Sequence, residues 1–67
     1  MDRFIYLTSA NPGIGKVRFN IDHIAYYFTK GSVTMIVMTV PGVMENVAEK
    51  REEVDRIIAE KTTFKVN

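Results

Sequence analysis

The stretch Gly13-Ile14-Gly15-Lys16 is the first place in this chain where residue types and spacing invite a chemical reading. Backbone amides of a glycine-rich turn can cradle phosphate oxygens, and a lysine beside them can meet the outer charge. A phosphate loop also needs a glycine five positions before its Gly-Lys pair and a hydroxyl just after it. Those positions hold Ala10 and Val17. A strand-like run follows where a helix should begin, so the segment reads as a hairpin turn. His23 is the one histidine, and there is no cysteine, which leaves one imidazole and carboxylates, a poor donor set for zinc. Asp22 is its chain neighbour, and neighbours on a strand point to opposite faces, so the pair is not the base and orienting acid of a triad. Ser9 and Ser32 fall in turns without a nucleophile motif. These residues predict no catalytic centre, no cofactor and no metal, hence a non-enzymatic protein.

Six carboxylates lie between Glu45 and Glu60, interleaved with Lys50, Arg51 and Arg56, the pattern of a solvated helix face. A second constellation combines Arg3, Tyr6, Arg18 and Tyr27. Basic residues with interleaved aromatic rings are what a single-strand nucleic-acid binder uses, because bases stack on the rings while phosphates meet the charges. Nine basic against eight acidic residues give a net charge of +1, which favours the other reading, that these aromatics pack or meet a protein.

The elements that would position these groups follow from period and punctuation. Arg3 to Thr8 alternates Ile5 and Leu7 against Phe4 and Tyr6, an opening strand that Asn11-Pro12-Gly13-Ile14-Gly15 breaks. Lys16 to Asn20 places Val17 and Phe19 inward. Asn20-Ile21-Asp22 predicts a tight corner, because Asn and Asp side chains bond nearby backbone in competition with a sheet ladder. His23 to Thr29 resumes the alternation, with Ile24, Tyr26 and Phe28 on one face and Ala25 and Tyr27 on the other. Lys30-Gly31-Ser32 is a hairpin signal, Val33 to Val40 a fourth strand ended by Pro41-Gly42, and Val43 to Val47 a short fifth. Glu49 to Lys61 is the helix, with Val54, Ile57 and Ile58 as its apolar stripe, Ile57 its main anchor, Asn46 and Glu49 a capping pair, and Glu52 poised to meet Arg56. Residues 62–67 suit a tail or an edge strand.

This order predicts one α+β domain over residues 1–67, a small curved antiparallel sheet of four to five strands packed on one C-terminal helix. A chain of 67 residues buries roughly 60% of its unfolded surface, so its core is thin. No cysteine supplements it, which points to a reducing, cytoplasmic setting. Its apolar run Met35 to Met38 is far below the roughly 20 residues a membrane helix requires.

Ile5-x-Leu7-Thr8, a glycine turn, Val17-x-Phe19-Asn20-x-Asp22-His23-Ile24, the Gly31 turn, an apolar strand, Gly42 and Val47-x-Glu49-x-x-Glu52-Glu53-Val54-x-x-Ile57-Ile58 follow one another in this chain. That order resembles the FlbD-like family of small flagellar-operon proteins and similar short proteins of phage and Bacteroides-type genomes. The resemblance implies a curved antiparallel sheet closed by a C-terminal helix, and an accessory role. The chain departs from the pattern at Asn11-Pro12-Gly13 and at Val40-Pro41.

The run Val33 to Val40 lacks the polar alternation of a half-exposed strand. One helix covers one face of a small sheet, so the other face needs sheet curvature or another chain over it. Met35, Ile36, Val37 and Met38 are therefore the predicted self-association residues, with one alternating pair facing the helix and the other facing a second copy. A homo-oligomer is the expected partner, another protein the next, nucleic acid after that, and no membrane.

Overall fold

A computed structural model describes residues 3–62. The notable divide is between two antiparallel sheets. In the first, β1 (Phe4–Thr8) pairs with β2 (Lys16–Asn20), Tyr6 opposite Arg18 and Thr8 opposite Lys16. In the second, the order is β3 (Ile24–Lys30), β4 (Val33–Met38), β5 (Met44–Val47). The helix α1 (Arg51–Thr62) is the last described element; Thr62 closes it, and the rest of the tail or edge strand expected over 62–67 lies outside the described residues. The expected α+β class holds. The single curved sheet is instead two sheets, joined at one edge by a bridge between Ser9 and Val47 and not closed into a barrel. Two backbone bonds flank that bridge, Ala10 N to Asn46 O at 2.9 Å and Ala48 N to Thr8 O at 2.8 Å.

Local chemistry explains most of the turns. Between β1 and β2 the Asn11 side chain accepts from the Gly13 amide at 3.2 Å, Ile14 N donates to Asn11 O at 3.0 Å, and Gly15 reaches φ +82° as Ser9 N closes on its carbonyl. No helix follows Lys16, which begins β2, so the Gly13–Lys16 stretch is a hairpin turn. Asn20 makes the predicted corner. Its side chain accepts the Asp22 amide at 2.9 Å and caps a single 3-10 turn, Ile21–His23, that hands the chain from one sheet to the other.

The core lies between the sheets and under the helix: Ile5 and Leu7 of β1, Phe19 of β2, Ile36 of β4, Val47 of β5 and Val54 of α1. Val54 is fully buried while Ile57 and Ile58 pack at the margin, so Val54, and not Ile57, anchors the helix. Glu49 and Lys50 precede α1, whose first turn closes with Val54 N donating to Lys50 O at 3.0 Å.

Two further expectations are corrected. Asn46 lies in β5 and does not cap the helix with Glu49. The Glu49 carboxylate instead accepts from Thr8 N at 2.8 and 2.9 Å and from Thr8 Oγ1 at 2.9 Å, while its carbonyl accepts from the buried Thr34 hydroxyl at 2.7 Å. Arg56 does not pair with Glu52. It bridges Glu53 at 2.6 Å and Glu60 at 2.9 Å along the exposed side of α1.

Candidate interaction surface

β3 decides which residues reach the surface. Its pairing with β4 shifts between Ile24, opposite Met38, and Tyr26, opposite Val37, so Ala25 is an extra residue in the strand. Such a bulge breaks the two-residue period once and leaves each side of it in phase. Ile24 and Tyr27 consequently share the core side, and Tyr26 and Phe28 share the other. The unbroken alternation that grouped Ile24 with Tyr26 and Phe28 does not occur.

The four residues expected to mediate self-association divide in the same way. Ile36 is fully buried in the core and Met38 packs against its margin. Met35 and Val37 point to the opposite face, Met35 opposite Phe28 and Asn46, Val37 opposite Tyr26 and Met44. Thus the outer face of β3–β4–β5 carries Tyr26, Phe28, Met35, Val37 and Met44 side by side. Tyr26, Phe28 and Met44 are 58%, 41% and 52% exposed, whereas Met35 is only 9% exposed although it lies outside the core cluster. Tyr26 and Phe28 are stacked, ring centroids 6.2 Å apart, which fixes them as one ridge. Neither α1 nor the β1–β2 hairpin lies over this face, because both pack on the other side of β4 around Ile36.

The basic-aromatic quartet is not gathered. Arg3 grips Asp22, Nε and Nη2 reaching one carboxylate oxygen at 3.0 and 2.7 Å, and the paired guanidinium holds the Asp22 carboxyl below the usual carboxylate range. Tyr27 is turned toward α1, where its hydroxyl donates to Asp55; burial, then the Asp55 carboxylate, pushes the phenol up to about 12. Only Tyr6 and Arg18 stand together, directly opposed on the outer side of the hairpin, with the Arg18 guanidinium 4.4 Å over the Phe4 ring.

The carboxylates are not one solvated face either. Glu45 lies on β5 and accepts the buried Ser9 hydroxyl at 3.0 Å, while Glu49 is held against Thr8 with Lys16 Nζ at 4.0 Å. Ser9 also accepts the Asn11 amide at 3.1 Å, so this hydroxyl is a structural link between loop and sheet. Sequence reasoning missed both links, whose partners are 36 and 41 residues apart. Among the described residues no three His, Asp or Glu side chains are grouped to hold a metal ion, and no helix is long and apolar enough to cross a membrane. A shallow groove of about 380 Å³ at the head of α1 is lined by Thr29, Ser32, Lys50 and Arg51, and one of about 450 Å³ by Phe4, Tyr6, Ile57 and Lys61.

Comparison with known proteins finds no matching family model, no matching curated protein and no matching solved structure.

Proposed function

We propose that this chain is a non-enzymatic, cytoplasmic protein-interaction domain of the accessory kind, with the outer face of β3–β4–β5 as its contact surface. One observation carries the reading: Tyr26, Phe28 and Met44 are exposed around Met35 and Val37 on a face that no other described element of the chain covers. Apolar side chains grouped this way lose water favourably on contact, and aromatic residues and methionine are enriched at such contacts. The likeness to FlbD-like flagellar-operon proteins is proposed on the same terms, since it too implies an accessory role. The nucleic-acid alternative keeps only Tyr6 and Arg18, because Arg3 is engaged by Asp22 and Tyr27 by Asp55.

A photo-crosslinking phenylalanine analogue in place of Met44, with the same analogue at Tyr6 as the control position, tests the reading in the cells that naturally make the protein. Protein adducts from position 44 and few from position 6 are the expected result. Absence of any protein adduct from position 44 would remove the interaction reading.

A further inference from the structure

We infer that the open edge of β3 docks the same edge of a second copy, the two strands pairing antiparallel about a two-fold axis at Phe28 in a weak, reversible dimer. This goes beyond the reading of the outer sheet face, since it concerns main-chain groups at the rim of the sheet and not the side chains across it. The phase of those groups is fixed within the chain. On β4, Met38 N donates to Val43 O at 3.0 Å, so even-numbered residues of β4 turn their backbone toward β5 and odd-numbered ones toward β3. Met35 is opposite Phe28 and Val37 opposite Tyr26, while the pair Lys30 and Val33 flanks the two-residue turn at Gly31. Tyr27 and Thr29 therefore point their amides and carbonyls away from β4, and no described residue takes them up. Tyr26, Phe28, Thr29 and Lys30 are all exposed, so no described element covers this edge.

The other strand edges are interrupted or charged. β1 and β5 are joined to each other at the Ser9–Val47 bridge and by Glu49 on Thr8, which breaks the run of open groups on both. β2 carries Lys16 and Arg18, so pairing it with its own copy sets base against base, directly or one diagonal step away. Charges placed this way are a common means of keeping an edge unpaired. β3 has a single charge, Lys30, and that residue lies at its end.

Bulge, turn and charge select one register. The bulge at Ala25 ends regular pairing on one side and the Gly31 turn ends it on the other, which leaves Tyr26 to Lys30 with Phe28 at the midpoint. With the axis there, Tyr27 faces Thr29 of the second copy, and each such pair exchanges both of its N–H to O=C bonds. Phe28 meets its own copy in the closer kind of pair, where aromatic side chains touch. Lys30 lies across from Tyr26 of the second copy, an ammonium beside a ring. The two lysines are then about 13 Å apart along the strands, beyond the screening length of about 8 Å at physiological salt. An axis at Thr29 would halve that distance, and one at Tyr27 would draw the bulge into the paired stretch. So short a pairing, without a second layer across the junction, makes the dimer weak.

Sedimentation velocity of the purified chain from about 1 μM to about 1 mM, with amide hydrogen exchange by NMR toward the upper end, tests the inference. The expected result is a monomer-dimer shift, with the Tyr27 and Thr29 amides exchanging several-fold more slowly as concentration rises. The Tyr26 and Phe28 amides, already bonded to β4, should not change. Thr29→Pro deletes an N–H that the chain's own sheet does not use, a place where an edge strand tolerates proline, and should weaken association about 30-fold or more. Phe28→Lys, which opposes two cations at the axis, is the second variant should proline disturb the fold, and it should abolish the shift. Met44→Glu, two strands away on β5, should keep the dimer. Circular dichroism establishes that each variant is folded before it is compared. A parent that is monomeric at about 1 mM overturns the pairing, as does a dimer whose Tyr27 and Thr29 amides exchange at the monomer's rate. A dimer that folded Thr29→Pro leaves unchanged, or that Met44→Glu abolishes, overturns it too. A photo-crosslinking analogue at Thr29 should give an adduct of twice the chain's mass, and an adduct with a different protein in its place would assign the edge to a foreign strand. The outer-face reading keeps its own readout, the adduct from position 44, so the two fail separately.

Discussion

Glu49→Ala tests whether one side chain fastens the first sheet to the second. Its carboxylate takes the Thr8 amide at 2.8 and 2.9 Å and the Thr8 hydroxyl at 2.9 Å, beside the point where β1 meets β5. The side chain is 14% exposed, so water does not readily replace it. Hydrogen bonds to a charged group contribute about 1.5 to 3 kcal/mol each, and a partly buried amide left without its acceptor costs a comparable amount. With two donors affected and part of the loss recovered by solvent at the exposed edge, the expected destabilisation is about 2 to 4 kcal/mol. A chain of this length has about 3 to 10 kcal/mol in all. Since 1 kcal/mol moves the melting temperature of so small a domain by about 4 to 8 °C, the variant should melt roughly 10 to 25 °C below the parent.

Two companions separate this account from a general intolerance of change. Glu49→Gln keeps one acceptor oxygen at the same place and should lose about half as much. Thr8→Val removes the hydroxyl but leaves the amide bond, at about 1 kcal/mol. Glu49 precedes Arg51, the first residue of α1, so alanine there alters no helix interior. The assay is thermal unfolding followed by circular dichroism, with urea titration for the free-energy difference. A Glu49→Ala protein that melts within about 3 °C of the parent, with the same urea slope, would refute the fastening role.

Three other outcomes are expected. Val54→Ala should cost about 2 to 3 kcal/mol and Ile57→Ala less, despite the larger side chain removed at 57, because Val54 is fully sealed and Ile57 is at the margin; urea midpoints that rank the two the other way would return the anchor to Ile57. Tyr27 favours its neutral phenol in the native state, so the stabilisation is complete below about pH 10 and is lost as pH rises through about 12; phenolate absorbance should show a group titrating near 12, absent in Tyr27→Phe, whose alkaline unfolding should also set in less steeply. Asp22 is shifted the opposite way by its bond to Arg3, so its contribution is present above the ordinary carboxylate range and fades as pH falls through its depressed value; in Arg3→Gln a carboxyl titration by NMR should move Asp22 back up toward that range.

The parts of the fold legible in the sequence are those set by neighbours in the chain. Asn20 and Asp22 announce the corner because the bond that makes it spans two residues, and Gly31 announces the β3–β4 reversal because a two-residue loop there needs positive φ, observed at +61°. The helix is legible as a stripe, but its depth is not. Which of Val54, Ile57 and Ile58 sinks furthest depends on where the chain leaves β5, and that is decided by Ala48 bonding Thr8 and Glu49 clasping it. Those contacts cross most of the chain. A capping pair is a sound local inference for Asn46 and Glu49, and it loses here to a distant amide with no other acceptor so well placed. The division into two sheets has the same origin, since a single bridge at Ser9 and Val47 joins edges that no local pattern pairs.

The candidate surface turns on one residue in the same way. Apolar character on both faces of β4 is visible in the run Val33 to Met38. Which pair faces which is not visible, because either phase of a strictly alternating strand is equally apolar. Ala25 resolves it. With the bulge there, Ile24 and Tyr27 both turn inward, Tyr27 reaches Asp55 on the helix, and Ile36 between them takes the centre of the core. Tyr26 and Phe28 are then carried outward together on the far side of the bulge, beside Met35 and Val37. Without the extra residue, one of the two ends of β3 would have to present its large side chains to the wrong side. The same irregularity that completes the core with Tyr27 thus takes one ring from the presumed nucleic-acid set and assembles two others into the ridge of the proposed interface.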